Sequence, residues 1–238
     1  MRTAYTVFRN LYNVRKMTMK LVLASGSQRR RELLTMCGYD YEIIVSNADE
    51  TIDENDPENF VRALSFRKAK DVFDRLFAAG RRDFAVIGSD TVVALQKEGG
   101  TKPVIIGKPK DAEDAVRILS MLSGKTHRVF TGVSVIADIP DENAAAQCSI
   151  REKEEIQTEC SITEVTFETL SPDEITDYVN SGDPLDKAGS YGIQGPFGMF
   201  VREIRGNYFT VIGMPIPVLY KMLKKIGILP HGFYECIE

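Results

Sequence analysis

The stretch LVLASGSQRRRELL, residues 21–34, constrains this chain's fold more than any other segment. Its apolar opening, Leu21 to Ala24, reads as a short buried strand. Ser25-Gly26-Ser27 forces a tight turn, and helical spacing resumes at Gln28, with Leu33 and Leu34 on one face. Strand, small-residue turn and helix start together aim backbone N–H groups and the positive end of a helix at one point. Arg29, Arg30 and Arg31 bring three more positive charges to the same corner. Arginines in a first turn oppose the helix dipole unless an anion answers them, and a phosphate group suits such a corner. A surface helix with a basic first turn is the other reading, and this stretch alone leaves it open.

Length and charge narrow the partners. The 238 residues suit one domain with enough apolar content, 43%, for a sizeable core. A net charge of −4 argues against a nucleic-acid binder that relies on general basicity, so a local basic patch favours a small anionic ligand. Cys37, Cys148, Cys160 and Cys236 show neither metal-ligand spacing nor a dense disulfide framework, which predicts a reducing, cytoplasmic setting. With only His127 and His231 present, a multi-histidine metal site is excluded, and carboxylates would have to hold any divalent metal, which points to Mg²⁺ or Mn²⁺. No apolar run approaches the roughly 18–20 residues of a membrane span.

Residues 1–19 carry Arg2, Arg9, Arg15 and Lys16 without an acidic residue. Such a composition fits organelle targeting. A poorly ordered extension, with Met17 or Met19 as an alternative start, fits as well. Tyr41 to Val45 reads as a second strand, and Pro57 opens a long helix to about Ala79, closed by Gly80. Phe60, Val61, Leu64, Val72, Phe73 and Leu76 form that helix's apolar side, and Lys68 falls within the apolar arc. It either snorkels to the edge or aims a charge into a cleft. Phe84 to Gly88 reads as a strand giving way at Asp90 to another. The Gly99-Gly100 pair predicts a hairpin, with Lys108 where the return strand ends.

Asp111 caps a helix to about Leu122, and His127 to Ala137 is a further strand. Residues 138–160 read as a solvated insertion and Ser161 to Leu170 as a strand. Ser171-Pro172-Asp173-Glu174 starts another helix, ending near Gly182. The segment 183–198, DPLDKAGSYGIQGPFG, is too glycine-rich and too specific in its polar residues for a mere connector. Two strands are expected at Met199–Ile204 and Tyr208–Ile212, then a final helix from Pro215 to about Ile226. Hairpins interrupt the βαβ rhythm, so the fold class is α/β with a mixed sheet in a single domain spanning 20–228, with residues 229–238 as a tail.

Several loops share small residues beside charges of both signs. Arg29, Arg30, Lys68, Lys108 and Lys187 are the positive candidates, and Asp49, Glu50, Asp90 and Asp186 the negative ones. Cations beside carboxylates are what a metal-chelated polyphosphate needs: carboxylates for the metal, cations for the oxygens, and one carboxylate to orient water. Taken singly, each charge has a structural explanation, such as a Lys187–Asp186 salt bridge. A GxxxxGK[ST] phosphate loop does not occur.

The set LASGSQRRRELL, ADET, RKAK, GSDTVV, GKP, LSGKTHRVFTGV and DKAGSYGIQG, in that order, resembles the Maf family of nucleoside triphosphate pyrophosphatases from about Leu21 to Gly227. The resemblance implies a curved mixed sheet flanked by helices, with two lobes around a cleft. It also implies cleavage of nucleoside triphosphates between the α- and β-phosphates with Mg²⁺ or Mn²⁺, and a homodimer. By position, Ser25, Arg29 and Arg30 match the phosphate-cradling first motif, and Glu50 a carboxylate linked to the metal. Lys68 and Lys108 match lysines facing the triphosphate, and Asp90 matches the proton acceptor and second metal carboxylate. Gln28 departs from the proline common there, which loosens the turn without removing a charge.

Arg29, Thr91 and Gln194 match the branch resembling dTTP/UTP pyrophosphatases, and Lys187 lies in the same late motif as Gln194. The branch acting on 7-methyl-GTP carries tryptophan, glutamine and glutamate there, and this chain has no tryptophan. An amide such as Gln194 can donate to and accept from a pyrimidine edge. The expected function is therefore hydrolysis of dTTP, UTP and related pyrimidine nucleotides in nucleotide-pool sanitation. A nucleotide-binding regulator of septum formation without catalysis is the alternative.

Overall fold

The computed structural model describes residues 19–96, 102–139 and 153–231. The N-terminal segment, the Gly99-Gly100 turn, residues 140–152 and most of the tail lie outside them, together with the readings made there. The chain runs β1 (Lys20–Leu23), α1 (Gln28–Met36), β2 (Tyr41–Ile43), α2 (Pro57–Ala78), β3 (Phe84–Gln96), β4 (Pro103–Ile106), α3 (Ala112–Leu122) and β5 (Thr126–Ile139). It continues with β6 (Lys153–Phe167), α4 (Pro172–Asn180), β7 (Val201–Arg205), α5 (Tyr208–Ile212) and α6 (Ile216–Lys225). Three short 3₁₀ turns occupy Asp183–Asp186, Ala188–Ser190 and Pro196–Phe200.

The seven strands form one mixed sheet in the order β2-β1-β3-β5-β6-β7, with β4 against β3. The β2–β1–β3 ladders are parallel and the others antiparallel, as the interrupted βαβ rhythm predicts. One edge of β3 is shared. Phe84–Ile87 pairs with β1, and Val93–Gln96 pairs with β4. Between them Gly88–Val92 has no ladder partner on that edge among the described residues. Asp90 sits in this gap.

One face of β3 explains the cleft. Ala85 and Ile87 join a hydrophobic cluster with α1 and α6, built on Leu23, Leu34, Leu219 and Met222. Val93 and Leu95 join a second cluster with α3 and α4, built on Leu119, Leu122, Phe167 and Phe197. Alternation puts Ser89 and Thr91 on the same face between them, so the apolar stripe is broken by polar residues midway. Thr131 on β5 faces Thr91 in register. Two cores on one sheet face, with hydroxyls between, are the expected lobes and cleft.

On the opposite face α2 lies directly against the backbone of β3 and β5. A Cβ at Gly88 would stand 2.1 Å from Ser65 O, and one at Gly132 would stand 2.2 Å from Val61 O. Only glycine allows that approach. Asp56 caps α2 by accepting from Asn59 N, Asp111 caps α3 by accepting from Asp114 N, and Ser171 and Glu174 form the predicted capping box on α4. Each such cap stabilises its helix by about 1 kcal/mol.

Three sequence expectations change. β3 is one continuous strand through Asp90; what changes there is its neighbour. β6 begins at Lys153, so residues 153–160 are strand, paired with Gly132–Ile139. Tyr208–Ile212 is a short helix, because the Asn207 side chain accepts from Phe209 N and Gly213 closes the turn at φ +110°.

Candidate active site

A cavity of about 500 Å³ opens where β1, β3 and β4 diverge. Ser25, Arg29, Arg30, Glu50, Lys68, Asp90, Thr91, Lys108, Lys187 and Gln194, every residue assigned a site role by sequence, line it. Asp186 lines it too, whereas Asp49 does not. The Asp49 carboxylate instead accepts from Thr51 N at 2.9 Å and shapes the turn.

At the centre, Lys68 Nζ lies 2.6 Å from Asp90 Oδ1 and 3.0 Å from Glu50 Oε1. The Lys68 and Asp90 side chains are each only 12% exposed, while Glu50 is 65% exposed, so the pair is enclosed and Glu50 reaches in from a loop. Arg67, one residue before Lys68, donates to the carbonyls of Asp49 and Thr51 at 2.8 Å each and so anchors that loop around Glu50. The glycine-permitted approach of α2 to the sheet sets the Lys68–Asp90 contact. The cleft reading of Lys68 therefore holds over the snorkelling one.

Arg30 is fixed by three acceptors. Its Nε donates to Gly213 O at 2.9 Å, Nη1 to Ser25 Oγ at 3.0 Å, and Nη2 to Thr91 Oγ1 at 3.4 Å. Burial pushes the guanidinium pKa below its ordinary value, against the opposing charge of Asp90. Gly213 O also accepts from Ser89 Oγ at 3.0 Å, so the end of α5 ties Arg30 to the residue before Asp90. Thr131 Oγ1 spends its single hydrogen on Thr210 O at 2.7 Å. In the 3.0 Å contact between Thr91 and Thr131, Thr91 is therefore the donor. Its hydroxyl is held by protein on both sides.

Ser27 caps α1 without a side-chain hydrogen bond, and the first turn holds no acidic residue. Ser27, Gln28 and Arg29 line the cavity there. On the far wall Lys187 Nζ donates to Asp183 O at 2.5 Å, Asp183 Oδ1 at 3.0 Å and Asp186 Oδ1 at 2.7 Å. Asp186 Oδ2 approaches Arg29 Nη1 at 3.9 Å. Burial pushes the Asp186 carboxyl up, but its hydrogen bond from Lys187 and the charges of Lys187 and Arg29 outweigh this and hold it below its ordinary value. Lys108 is exposed at the rim, just past β4, and Gly189 N donates to Gly107 O at 2.9 Å, joining the two loops.

The cavity lining also holds apolar residues, Val93, Val129, Tyr191, Ile193 and Val211, together with Gln194. Sequence reading missed these apolar residues. Val211 was hidden by the strand assignment at 208–212, and the odd-position alternation of β3 was the signal for Val93. Tyr191 is buried, and its hydroxyl lies 3.0 Å from His127 Nε2. A cavity lined by charges that suit phosphate oxygens and by apolar side chains with an amide suits a phosphorylated nucleoside.

Among the described residues no three His, Cys, Asp or Glu side chains converge on a metal position. Glu50 and Asp90, both within reach of one ammonium, still offer hard carboxylate oxygens. Mg²⁺ in nucleotide sites commonly takes one or two carboxylates and completes its shell with phosphate and water. The donor set fits that mode.

The profile of the family described as Maf-like protein matches residues 20–226. The chain is 42% identical over 210 residues to the dTTP/UTP pyrophosphatase of Bacillus thuringiensis subsp. konkukian, covering 88% of this chain and 96% of that one. It is 40% identical over 217 residues to the dTTP/UTP pyrophosphatase of Agathobacter rectalis, covering 88% and 98%. A third protein of that name, from Lachnoclostridium phytofermentans, is 42% identical over 209 residues, covering 88% and 96%.

Proposed function

Taking as premise that the chain belongs to the Maf-like protein family, we propose that it hydrolyses dTTP and UTP to the nucleoside monophosphate and pyrophosphate. The observation that carries the chemistry is the enclosed Lys68–Asp90 contact, with Glu50 beside it, in a cavity lined by both cationic and apolar side chains. Water adds across the anhydride between the α- and β-phosphorus atoms; its oxygen bonds to phosphorus and the P–O bond to the bridging oxygen breaks.

Asp90 takes the proton of the attacking water, a role suited to a positioned carboxylate on a strand. Lys68 holds that carboxylate in place and neutralises charge as the anhydride breaks. Arg29, Arg30, Lys108 and Lys187 bind the remaining phosphate oxygens, with Ser25 orienting Arg30. Of the acceptors on Lys187, Asp186 is the exposed one, with its side chain 71% accessible, so a phosphate oxygen replaces it most readily. Gln194, next to Ile193 in the cavity lining, reads the base edge.

Glu50 and Asp90 would hold Mg²⁺ or Mn²⁺. Such an ion, when bound, lowers the pKa of a coordinated water and screens the phosphate charge. The reading includes a homodimer in the cytoplasm, which rests on the family resemblance and is checked by sedimentation and by localisation of the tagged chain. Asp90→Asn tests the reaction itself. With the fold intact, turnover of dTTP should fall by about 10²–10⁴-fold. Turnover equal to wild type would remove Asp90 from the chemistry.

A further inference from the structure

Two residues that do not line the cavity converge on two that do. The Tyr178 hydroxyl, from the last turn of α4, contacts Asp183 Oδ2 at 2.5 Å and accepts from Gly192 N at 3.0 Å. The Tyr178 side chain is buried, and both burial and the bond to Asp183 push its ionisation above the ordinary value. It therefore keeps its proton and is the donor to the carboxylate. The other oxygen of that carboxylate, Asp183 Oδ1, accepts from Lys187 Nζ at 3.0 Å. One phenol thus stands between the cation on the phosphate wall and the backbone amide that leads, two residues on, to Gln194.

The packing of Gly192 points the same way. A Cβ added there would lie 2.7 Å from Lys187 Cε and 3.1 Å from Asp183 Oδ2. The lysine stem lies across the bare backbone of this glycine, so the height of the 192–194 segment and the reach of Lys187 are set together. A hydrogen bond from tyrosine to a carboxylate that merely stiffened α4 would not need the Gly192 contact.

We propose that Tyr178 and Asp183 are positioning residues of the nucleotide site, coupling phosphate binding at Lys187 to base recognition at Gln194. The proposal rests on the nucleotide reading of the cavity. Asp183 acts on the phosphate side by holding the ammonium. Tyr178 acts on both sides, because losing its hydroxyl frees Asp183 and leaves the Gly192 amide without its acceptor.

The test compares Tyr178→Phe and Asp183→Asn with wild type in steady-state hydrolysis of dTTP, UTP and dGTP, with melting temperatures alongside. Asp183→Asn should raise KM for all three nucleotides by a common factor of about tenfold, leaving their ratios unchanged. Tyr178→Phe should raise KM similarly and also narrow the preference for dTTP over dGTP. A purely structural role would lower the melting temperature and the active fraction, seen as reduced kcat, with KM and the ratios untouched. That pattern would overturn the proposal. Should Tyr178→Phe fail to fold, an unchanged KM in Asp183→Asn overturns it, and a raised KM there together with a narrowed dTTP preference in Gly192→Ala, whose methyl would meet the Lys187 stem, upholds it. Absence of turnover in wild type would instead refute the nucleotide reading.

Discussion

Lys68 on α2 and Asp90 on β3 meet at 2.6 Å because Gly88 and Gly132 let the helix rest on the sheet backbone. The contact proposed to be catalytic is thus a consequence of how a helix packs on the sheet, not of either loop. Replacing Lys68 by methionine keeps the apolar stem and removes the ammonium. It should lower kcat on dTTP by about 10²-fold or more, with Asp90 and Glu50 left to repel each other across the gap. Steady-state kinetics on the folded variant checks this, and an unchanged kcat would contradict it.

The same packing predicts a stability effect. Gly132→Ala places a methyl 2.2 Å from Val61 O, so α2 must lift. Overpacking of this kind costs about 1–3 kcal/mol. Urea unfolding should show that loss, and turnover per folded molecule should fall too, as Lys68 withdraws from Asp90. A variant as stable and as active as wild type would show that α2 adjusts freely.

Thr91→Val tests the hydroxyl chain from Arg30 to Thr210. Valine keeps the shape and removes the acceptor for Arg30 and the donor to Thr131. We expect kcat/KM to fall about threefold to tenfold, by one factor for every triphosphate, and Thr91→Ser to restore it. A change in base preference without a common loss would mean that Thr91 contacts the base directly.

His127 makes stability depend on pH. It is 2% exposed between Phe167 and Tyr191, its Nδ1 has no hydrogen-bond partner among the described residues, and burial pushes its pKa down from 6.5 to about 3. Between those values the unfolded chain holds a proton that the folded chain does not, so stability falls as pH drops from about 6.5 toward 3. From pH 7 to pH 5 wild type should lose about 2 kcal/mol more than His127→Gln, measured by urea unfolding. Equal losses would show that the imidazole charges within the fold.

Much of this site is legible in the sequence because its loops carry charges and glycines that no core or surface role requires together. Gly88-Ser89-Asp90 is one such run: close approach, a hydroxyl on Gly132 O and Gly213 O, then the carboxylate. What escaped was set by tertiary pairing. Residues 153–160 hold one strong apolar side chain, Ile156, and it is 48% exposed. Their strand exists through backbone pairing with β5, whose buried residues supply the driving force. Tyr208–Ile212 has strand-like composition, yet the Asn207 cap and Gly213 decide for helix, and that helix end aims Arg30. Tyr178 was not singled out from the sequence, since nothing local reveals that Asp183 and Gly192 fold back onto it.

The most direct measurement is product analysis across dTTP, UTP, purine triphosphates and 7-methyl-GTP with Mg²⁺ or Mn²⁺. The account predicts one pyrophosphate and one nucleoside monophosphate per dTTP or UTP consumed, and little turnover of purines. Release of single phosphates with a diphosphate left behind, or binding of every triphosphate without hydrolysis, would contradict it.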